Sequence, residues 1–150
     1  MVPFGSEKYF TSAYKKIDAT PIAAQLYQGS VPPSGPALKD ARFSMLVLAA
    51  REHQPRSETF PGIKVVHVPL RDNGAPSVEE LAAARRAASM VSDEIRRGGK
   101  VLVTCLMGRN RSGLVTALAL HDLYGFSGGR AVDMIKTMRP FALTNTEFVR

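Results

Sequence analysis

The sequence predicts an α/β fold: a single domain with a mostly parallel central sheet of four to five strands and helices on both faces. Short apolar or β-branched runs alternate along the chain with longer segments of helical periodicity. Some of these runs are almost continuously apolar, as strands buried on both faces are. The 150 residues, 45% of them hydrophobic, fit one domain with a substantial core.

Four strands are predicted from short runs of apolar or β-branched residues bounded by turn-forming residues. A loop rich in proline and glycine, Val31 to Pro36, follows the first strand, and Pro69 is expected to stop the third. In chain order the strands are Gln25–Gly29, Phe43–Ala50, Ile63–Leu70 and Val101–Thr104.

Three helices are predicted from apolar residues at the helical period. The first begins after Ser77, which forms a capping box with Glu80, and it ends at Gly98. The second runs from Ser112 to Tyr124, and the third runs from Ala131 to Arg139.

The domain is expected to span residues 20–150, after a weakly patterned lead-in at residues 1–19. No apolar run approaches the roughly 20 residues that a membrane helix needs, and the first residues lack the apolar core of a signal peptide. The lone cysteine excludes an internal disulfide, and the three histidines have no metal-ligand spacing, so we expect no metal and no cofactor. A reactive thiol suits a reducing compartment, so we expect a cytoplasmic protein, and a monomer.

The formal charge of +7 favours anionic substrates, such as phosphoproteins, phosphoinositides, nucleotides or RNA ends. The net charge does not distinguish among these classes of substrate. An equally simple interpretation places much of this charge on the solvated face of one helix.

The most informative segment is Cys105–Gly113, which joins the last strand to the second helix. A thiol at the start of a helix lies where backbone N–H groups and the helix dipole favour both thiolate and phosphate. We expect Cys105 to attack phosphorus, Arg111 to bind two phosphate oxygens, and Ser112 to donate its hydroxyl to the sulfur. The backbone amides expected to bind phosphate oxygens belong to Leu106, Met107, Gly108, Arg109, Asn110 and Arg111.

A proton donor for the leaving group is expected at Asp72, in the loop that follows the third strand. In parallel sheets such loops lie at the carboxyl ends of the strands, where Cys105 also lies. The carboxyl would protonate the leaving oxygen and then accept a proton from the water that attacks the phosphocysteine. Asp72 could instead only stabilise a turn.

These residues carry a family resemblance. The motif Cys105-x5-Arg111-Ser112-Gly113, the upstream Asp72 and the tail Arg139-Pro140…Asn145…Phe148 together resemble the cysteine-dependent protein tyrosine phosphatases. Within these the chain is most similar to the compact dual-specificity phosphatases, and the opening strand Leu26–Gly29 also fits them. The resemblance covers roughly residues 20–150.

The resemblance implies an α/β fold, catalysis through a phosphocysteine, no metal, and a structural role for Arg139 and Asn145 in support of the loop. One position departs from the family pattern, because Thr104 stands where the family usually has histidine. We expect the Thr104 hydroxyl to bind the loop backbone instead, and the thiol to be less acidic.

The resemblance also implies phosphorylated protein substrates. The short chain leaves no room for the extra loop that deepens the pocket of phosphotyrosine-specific relatives, so phosphoserine and phosphothreonine should be accepted as well as phosphotyrosine. The segment Gly108–Gly113 is similar to the signature of RNA 5′-triphosphatases, and the basic Arg109 is similar to a loop residue of phosphoinositide phosphatases.

Two alternatives of other kinds also stay open. One is a pseudophosphatase that binds phosphorylated partners without turnover. The other is a sulfurtransferase of the rhodanese kind, which needs no proton donor at Asp72.

Overall fold

The computed structural model describes residues 17–143, which form a five-stranded sheet in the order β1-β2-β5-β3-β4. The pairing of β1 with β2 is antiparallel, and the three other pairings are parallel. The predicted mostly parallel α/β sheet is therefore confirmed, with β1 added to the four strands identified from the sequence. The strands are β1 (Thr20–Ala23), β2 (Leu26–Gly29), β3 (Met45–Ala50), β4 (Lys64–Leu70) and β5 (Val101–Thr104).

Four helices accompany the strands in the described residues, with a turn of 3-10 helix at Ser57–Thr59. The capping box predicted at Ser77 is present, because Ser77 Oγ accepts from the Glu80 amide at 3.0 Å and Glu80 Oε1 accepts from the Ser77 amide at 2.9 Å. The helices are α1 (Ala37–Asp40), α2 (Val78–Arg96), α3 (Arg111–Tyr124) and α4 (Gly128–Met138).

The start of α4 differs from the prediction. The helix begins at Gly128 rather than Ala131, and the Ser127 hydroxyl accepts from the Arg130 amide at its N-terminus. Two glycines in the first turn have poor helix propensity, which removes the helical signal there. Pro69 also lies within β4 instead of stopping it, which an edge strand tolerates.

Helices lie on both faces of the sheet, as predicted, but unequally. Alternate residues of the central strands, such as Val47 and Val103, face a large core formed with α2, α3 and α4. The intervening residues, such as Leu46 and Leu102, face a smaller cluster with Leu38 of the short α1. Both faces of β3 are thus covered, which explains its unbroken apolar run.

The parallel pairing brings the loops after β3, β4 and β5 to the same edge of the sheet. These loops carry Glu52, Asp72 and Cys105 respectively. None of the helices in residues 17–143 combines the length and apolar composition needed to cross a membrane. The predicted start of the domain at residue 20 remains a prediction, and Asn145 and Phe148 lie outside the described residues.

Candidate active site

The four side chains predicted to perform the chemistry come together at the carboxyl ends of β4 and β5. The Cys105 thiol is buried and its Sγ lies 3.2 Å from Ser112 Oγ. The Arg111 guanidinium, also buried, has its Nε 3.6 Å from Asp72 Oδ1. Asp72 is exposed, on the loop between β4 and α2. The structure therefore places a thiol, a hydroxyl, a guanidinium and a carboxyl group around one loop.

The backbone of that loop is held by the carbonyl groups of Leu106–Arg109, each of which accepts a hydrogen bond from a surrounding segment. Arg139 and Gln28 provide most of the donors, and both lie far from the loop in sequence. The bonds are Val31 N to Leu106 O at 3.4 Å, Arg139 Nη2 to Met107 O at 3.2 Å, Arg139 Nε and Gln28 Nε2 to Gly108 O at 2.6 and 3.0 Å, and Gln28 Nε2 and Leu143 N to Arg109 O at 3.3 and 3.2 Å.

This arrangement turns the amides of the loop inward. In a planar trans peptide the carbonyl of one residue and the N–H of the next point in opposite directions. With the carbonyls of Leu106–Arg109 bonded to the surroundings, the N–H groups that follow point to the inside of the loop. None of the amides of Leu106–Arg109 donates to a backbone carbonyl in residues 17–143. Together with the N-terminus of α3, these donors form a cradle for an anion.

Gly108 is required for this loop conformation. Its φ of 69° lies in the left-handed region, where residues other than glycine are strained. A Cβ at this position would also collide with Arg139 Nη2 and with the backbone of Gly29. The role expected of Gly108, a tight backbone curl, is thus visible in the structure.

Glu52 holds the Arg111 side chain in place. Its two carboxylate oxygens accept from Arg111 Nη1 at 2.5 Å and Nη2 at 2.8 Å, and Nη1 also donates to the Leu70 carbonyl at 3.1 Å. Arg111 Nε is buried and makes no hydrogen bond within residues 17–143. Burial alone would lower the pKa of Arg111, but the hydrogen bond to Glu52 and the nearby Cys105 and Asp72 raise it overall.

Glu52 was not among the site residues predicted from the sequence. The hydrogen bond from Arg111 is the main cause that lowers the pKa of Glu52 to about 2, so the carboxylate is ionised at neutral pH. One signal was available: Glu52 follows β3 directly, and β3 neighbours the strand that leads to Cys105. The signal can be used only when the order of the strands in the sheet is known, and hydrophobic periodicity alone does not give that order.

The expectation for Thr104 was wrong. Its hydroxyl donates to the Val47 carbonyl of β3 at 2.8 Å, so it links two strands and does not bind the loop backbone. The reason is that Thr104 is still part of β5, where its neighbours belong to the sheet. Gln28 and Arg139 support the loop instead.

No group of three or more His, Cys, Asp or Glu side chains in the part of the chain that the structure describes is arranged to hold a metal ion.

Comparison with known proteins leads to the same chemistry. The family model of the dual specificity phosphatase catalytic domain matches residues 26–150. Human dual specificity phosphatase 28 is 30% identical over 127 residues, which cover 85% of this chain and 71% of that protein.

Comparison with solved structures also finds similarity to phosphatases. The crystal structure of human DUSP28 superposes with a TM-score of 0.74 at 30% identity, covering 86% of this chain and 89% of that one. Tk-PTP, crystallised in its active form, superposes with a TM-score of 0.69 at 27% identity, covering 87% and 90%. The chain belongs to the dual specificity phosphatase family, and it is a protein phosphatase of the cysteine-dependent type.

Proposed function

We propose that this phosphatase hydrolyses phosphotyrosine, phosphoserine and phosphothreonine in proteins, with Cys105 as the nucleophile. The observation that carries the proposal is the loop after Cys105, where the carbonyls of Leu106–Arg109 are bonded outward and the amides that follow them face inward. A phosphate monoester hydrolyses extremely slowly unaided. Its three non-bridging oxygens need fixed donors, and this loop supplies them next to a thiol.

In the first step, Cys105 Sγ attacks phosphorus as a thiolate, and an S–P bond forms while the P–O bond to the substrate breaks. Asp72 gives its proton to the leaving oxygen, so that a neutral alcohol or phenol departs. Asp72 Oδ1 lies 3.6 Å from Arg111 Nε, which supports a role for this carboxyl beside the phosphate that Arg111 would bind.

In the second step, water attacks the phosphocysteine and gives a proton to the Asp72 carboxylate. The S–P bond breaks, inorganic phosphate forms, and the electron pair returns to sulfur. Ser112 Oγ, 3.2 Å from the sulfur, can donate a hydrogen bond to this departing thiolate. One carboxyl group thus serves both steps.

Arg111 binds the phosphate through donors that Glu52 and Leu70 leave available. A guanidinium carries five N–H donors. The contacts to Glu52 and Leu70 engage both donors of Nη1 and one of Nη2. Nε–H and the second Nη2–H remain on one edge, which fits two oxygens of a phosphate.

Protein substrates are favoured over RNA ends and inositol lipids by the family to which the chain belongs. Arg109, the basic residue behind the phosphoinositide alternative, lies over the Phe141 ring at 5.9 Å from its centroid. That contact gives Arg109 a local packing role. A cytoplasmic location and a monomeric state remain predictions.

The test is hydrolysis of p-nitrophenyl phosphate across pH, with an acid quench to trap phosphate on the enzyme. Wild type should turn over, be inhibited by vanadate, and carry labelled phosphate on Cys105. Cys105→Ser should abolish turnover, and Asp72→Asn should lower kcat by about a hundredfold or more, as loss of a general acid does. Asp93→Asn, an exposed carboxylate on α2, serves as the control.

Turnover that persists in Cys105→Ser, or label that never reaches Cys105, would contradict the proposal. Phosphopeptides, 5′-triphosphorylated RNA and inositol lipids, assayed side by side, separate the substrate classes. Faster hydrolysis of RNA or lipid than of all three phosphopeptides would contradict the protein substrates.

A further inference from the structure

One ion pair links the start of the described chain to the outer side of the loop Cys105–Arg111, which we call the catalytic loop. Asp18 Oδ1 and Oδ2 accept from Arg139 Nη1 and Nη2 at 2.9 and 2.7 Å. On its other side the same guanidinium donates from Nε to the Gly108 carbonyl and from Nη2 to the Met107 carbonyl. We propose that Asp18 is a positioning residue of the phosphatase, acting on the catalytic loop through Arg139. The inference rests on the proposed role of that loop.

Asp18 is itself fixed. Its Oδ2 accepts from the Ser30 amide at 3.1 Å and from the Ser30 hydroxyl at 2.7 Å, directly after β2. The hydrogen bond from Arg139 is the main cause that lowers the pKa of Asp18. Arg139 Nη1 also donates to Thr20 Oγ1 at 2.8 Å. Because every nitrogen of the guanidinium is bonded, its plane cannot rotate without breaking several contacts.

Two glycines leave the space that this arrangement needs. A Cβ on Gly108 would collide with Arg139 Nη2, and a Cβ on Gly29 would collide with the Asp18 carbonyl oxygen. The close approach of Asp18 and Arg139 to the loop therefore depends on small residues at both contact points.

The consequence for catalysis follows from peptide geometry. Holding the carbonyls of Met107 and Gly108 against Arg139 directs the amides of Gly108 and Arg109 into the anion cradle. Preorganised amides bind the charge that develops in the transition state more strongly than mobile ones do. Asp18 lies upstream of residues 26–150, the range matched by the family model, so the family match does not include it.

The test uses the full chain and compares Asp18→Asn with Asp93→Asn, which neutralises an exposed aspartate paired with Arg96 on α2. Asp18→Asn should weaken vanadate inhibition and lower kcat/KM for p-nitrophenyl phosphate by about tenfold each, the cost of a lost bidentate contact to a charged group. Ser30→Ala, which removes one bond to Asp18, should shift both in the same direction by about threefold.

The direction of the change in vanadate inhibition separates a positioning role of Asp18 from a simple effect of its charge. Removal of a negative charge near the loop would by itself favour anions and strengthen vanadate binding. Positioning predicts weaker vanadate binding instead. Unchanged or tighter vanadate inhibition in folded Asp18→Asn would overturn the inference.

If Asp18→Asn has no cooperative thermal transition, Ser30→Ala decides the outcome by the same measurements. Tungstate affinity, measured by calorimetry, tests the inference without relying on turnover, so the inference and the proposed function can fail independently. If wild type has no turnover that depends on Cys105, the function fails, and tungstate affinity still tests Asp18. If wild type turns over and Asp18→Asn equals it in both measurements, only the inference fails.

Discussion

The guanidinium of Arg111 faces two carboxyl groups, one on each of two edges. Glu52 takes the edge formed by Nη1 and Nη2, and the edge formed by Nε and Nη2 is directed to the side of Asp72. Because Glu52 is ionised and holds two of the nitrogens, the orientation of the side chain is set before a substrate arrives. Such preorganisation removes a conformational cost from phosphate binding.

We predict that Glu52→Gln lowers kcat/KM for p-nitrophenyl phosphate by about tenfold, because the amide replaces a bidentate ion pair with one hydrogen bond. The pKa of Glu52 is about 2, so its charge is constant over the working pH range. The pH profile should therefore drop in height and keep its shape. The measurement is a full pH profile of kcat/KM.

Glu58→Gln is the matched control, since Glu58 pairs with Arg56 on the surface of the same connecting loop. It should retain wild-type activity. An increase in activity in Glu52→Gln would show that Glu52 competes with phosphate for Arg111, contrary to the prediction.

At the scale of elements, the N-terminus of α2 connects stability to the site. Glu80 completes the capping box with Ser77, and its carboxylate also accepts from the Arg71 amide at 2.8 Å. Arg71 directly precedes Asp72. The cap therefore fixes both ends of the loop that carries the proposed acid.

We predict that Ser77→Ala lowers the free energy of unfolding by about 1 kcal/mol, the usual cost of a lost N-cap. For a chain of this size the melting temperature should fall by about 2–4 °C, measured by circular dichroism. Ser57→Ala is the control, because Ser57 lies exposed in the 3-10 turn. Equal melting temperatures for wild type and Ser77→Ala would show that the cap contributes nothing measurable.

At the scale of the whole molecule, ion pairs in three regions make the stability of the fold depend on pH in the same direction. Hydrogen bonds from Arg111, Arg71 and Lys64 are the main causes that lower the pKa values of Glu52, Glu80 and Glu94, each from 4.5 to about 2. Protons therefore bind the unfolded chain at higher pH than they bind the folded one. The stabilisation is complete above about pH 4.5 and is lost as the pH falls towards 2.

We predict that the free energy of unfolding, measured with urea, declines between pH 4.5 and pH 2. Glu80→Gln should reduce the steepness of this decline, because one of the three shifted carboxyl groups is gone. A stability that stays level over this range in wild type would contradict the pKa shifts and the geometry from which they arise.

The sequence by itself determined the strands β2 to β5, the capped α2, and the segment from Cys105 to Ser112. These features are local, because hydrophobic periodicity, turn residues and the position of a thiol before a helix can be seen within a short window. Asp72 could also be identified, since the parallel sheet brings loops at equivalent strand ends together.

Only the tertiary structure decided which other groups hold the loop and the Arg111 side chain in place. Glu52, Gln28 and Asp18 come from three separate segments, and none has a pattern that marks it, whereas the support of the loop by Arg139 was expected from the family resemblance. Thr104 was misinterpreted for the same reason, because the acceptor of its hydroxyl depends on which strand lies beside β5. A hydrogen bond between distant segments follows from the packing of the whole chain, so a local pattern cannot specify it.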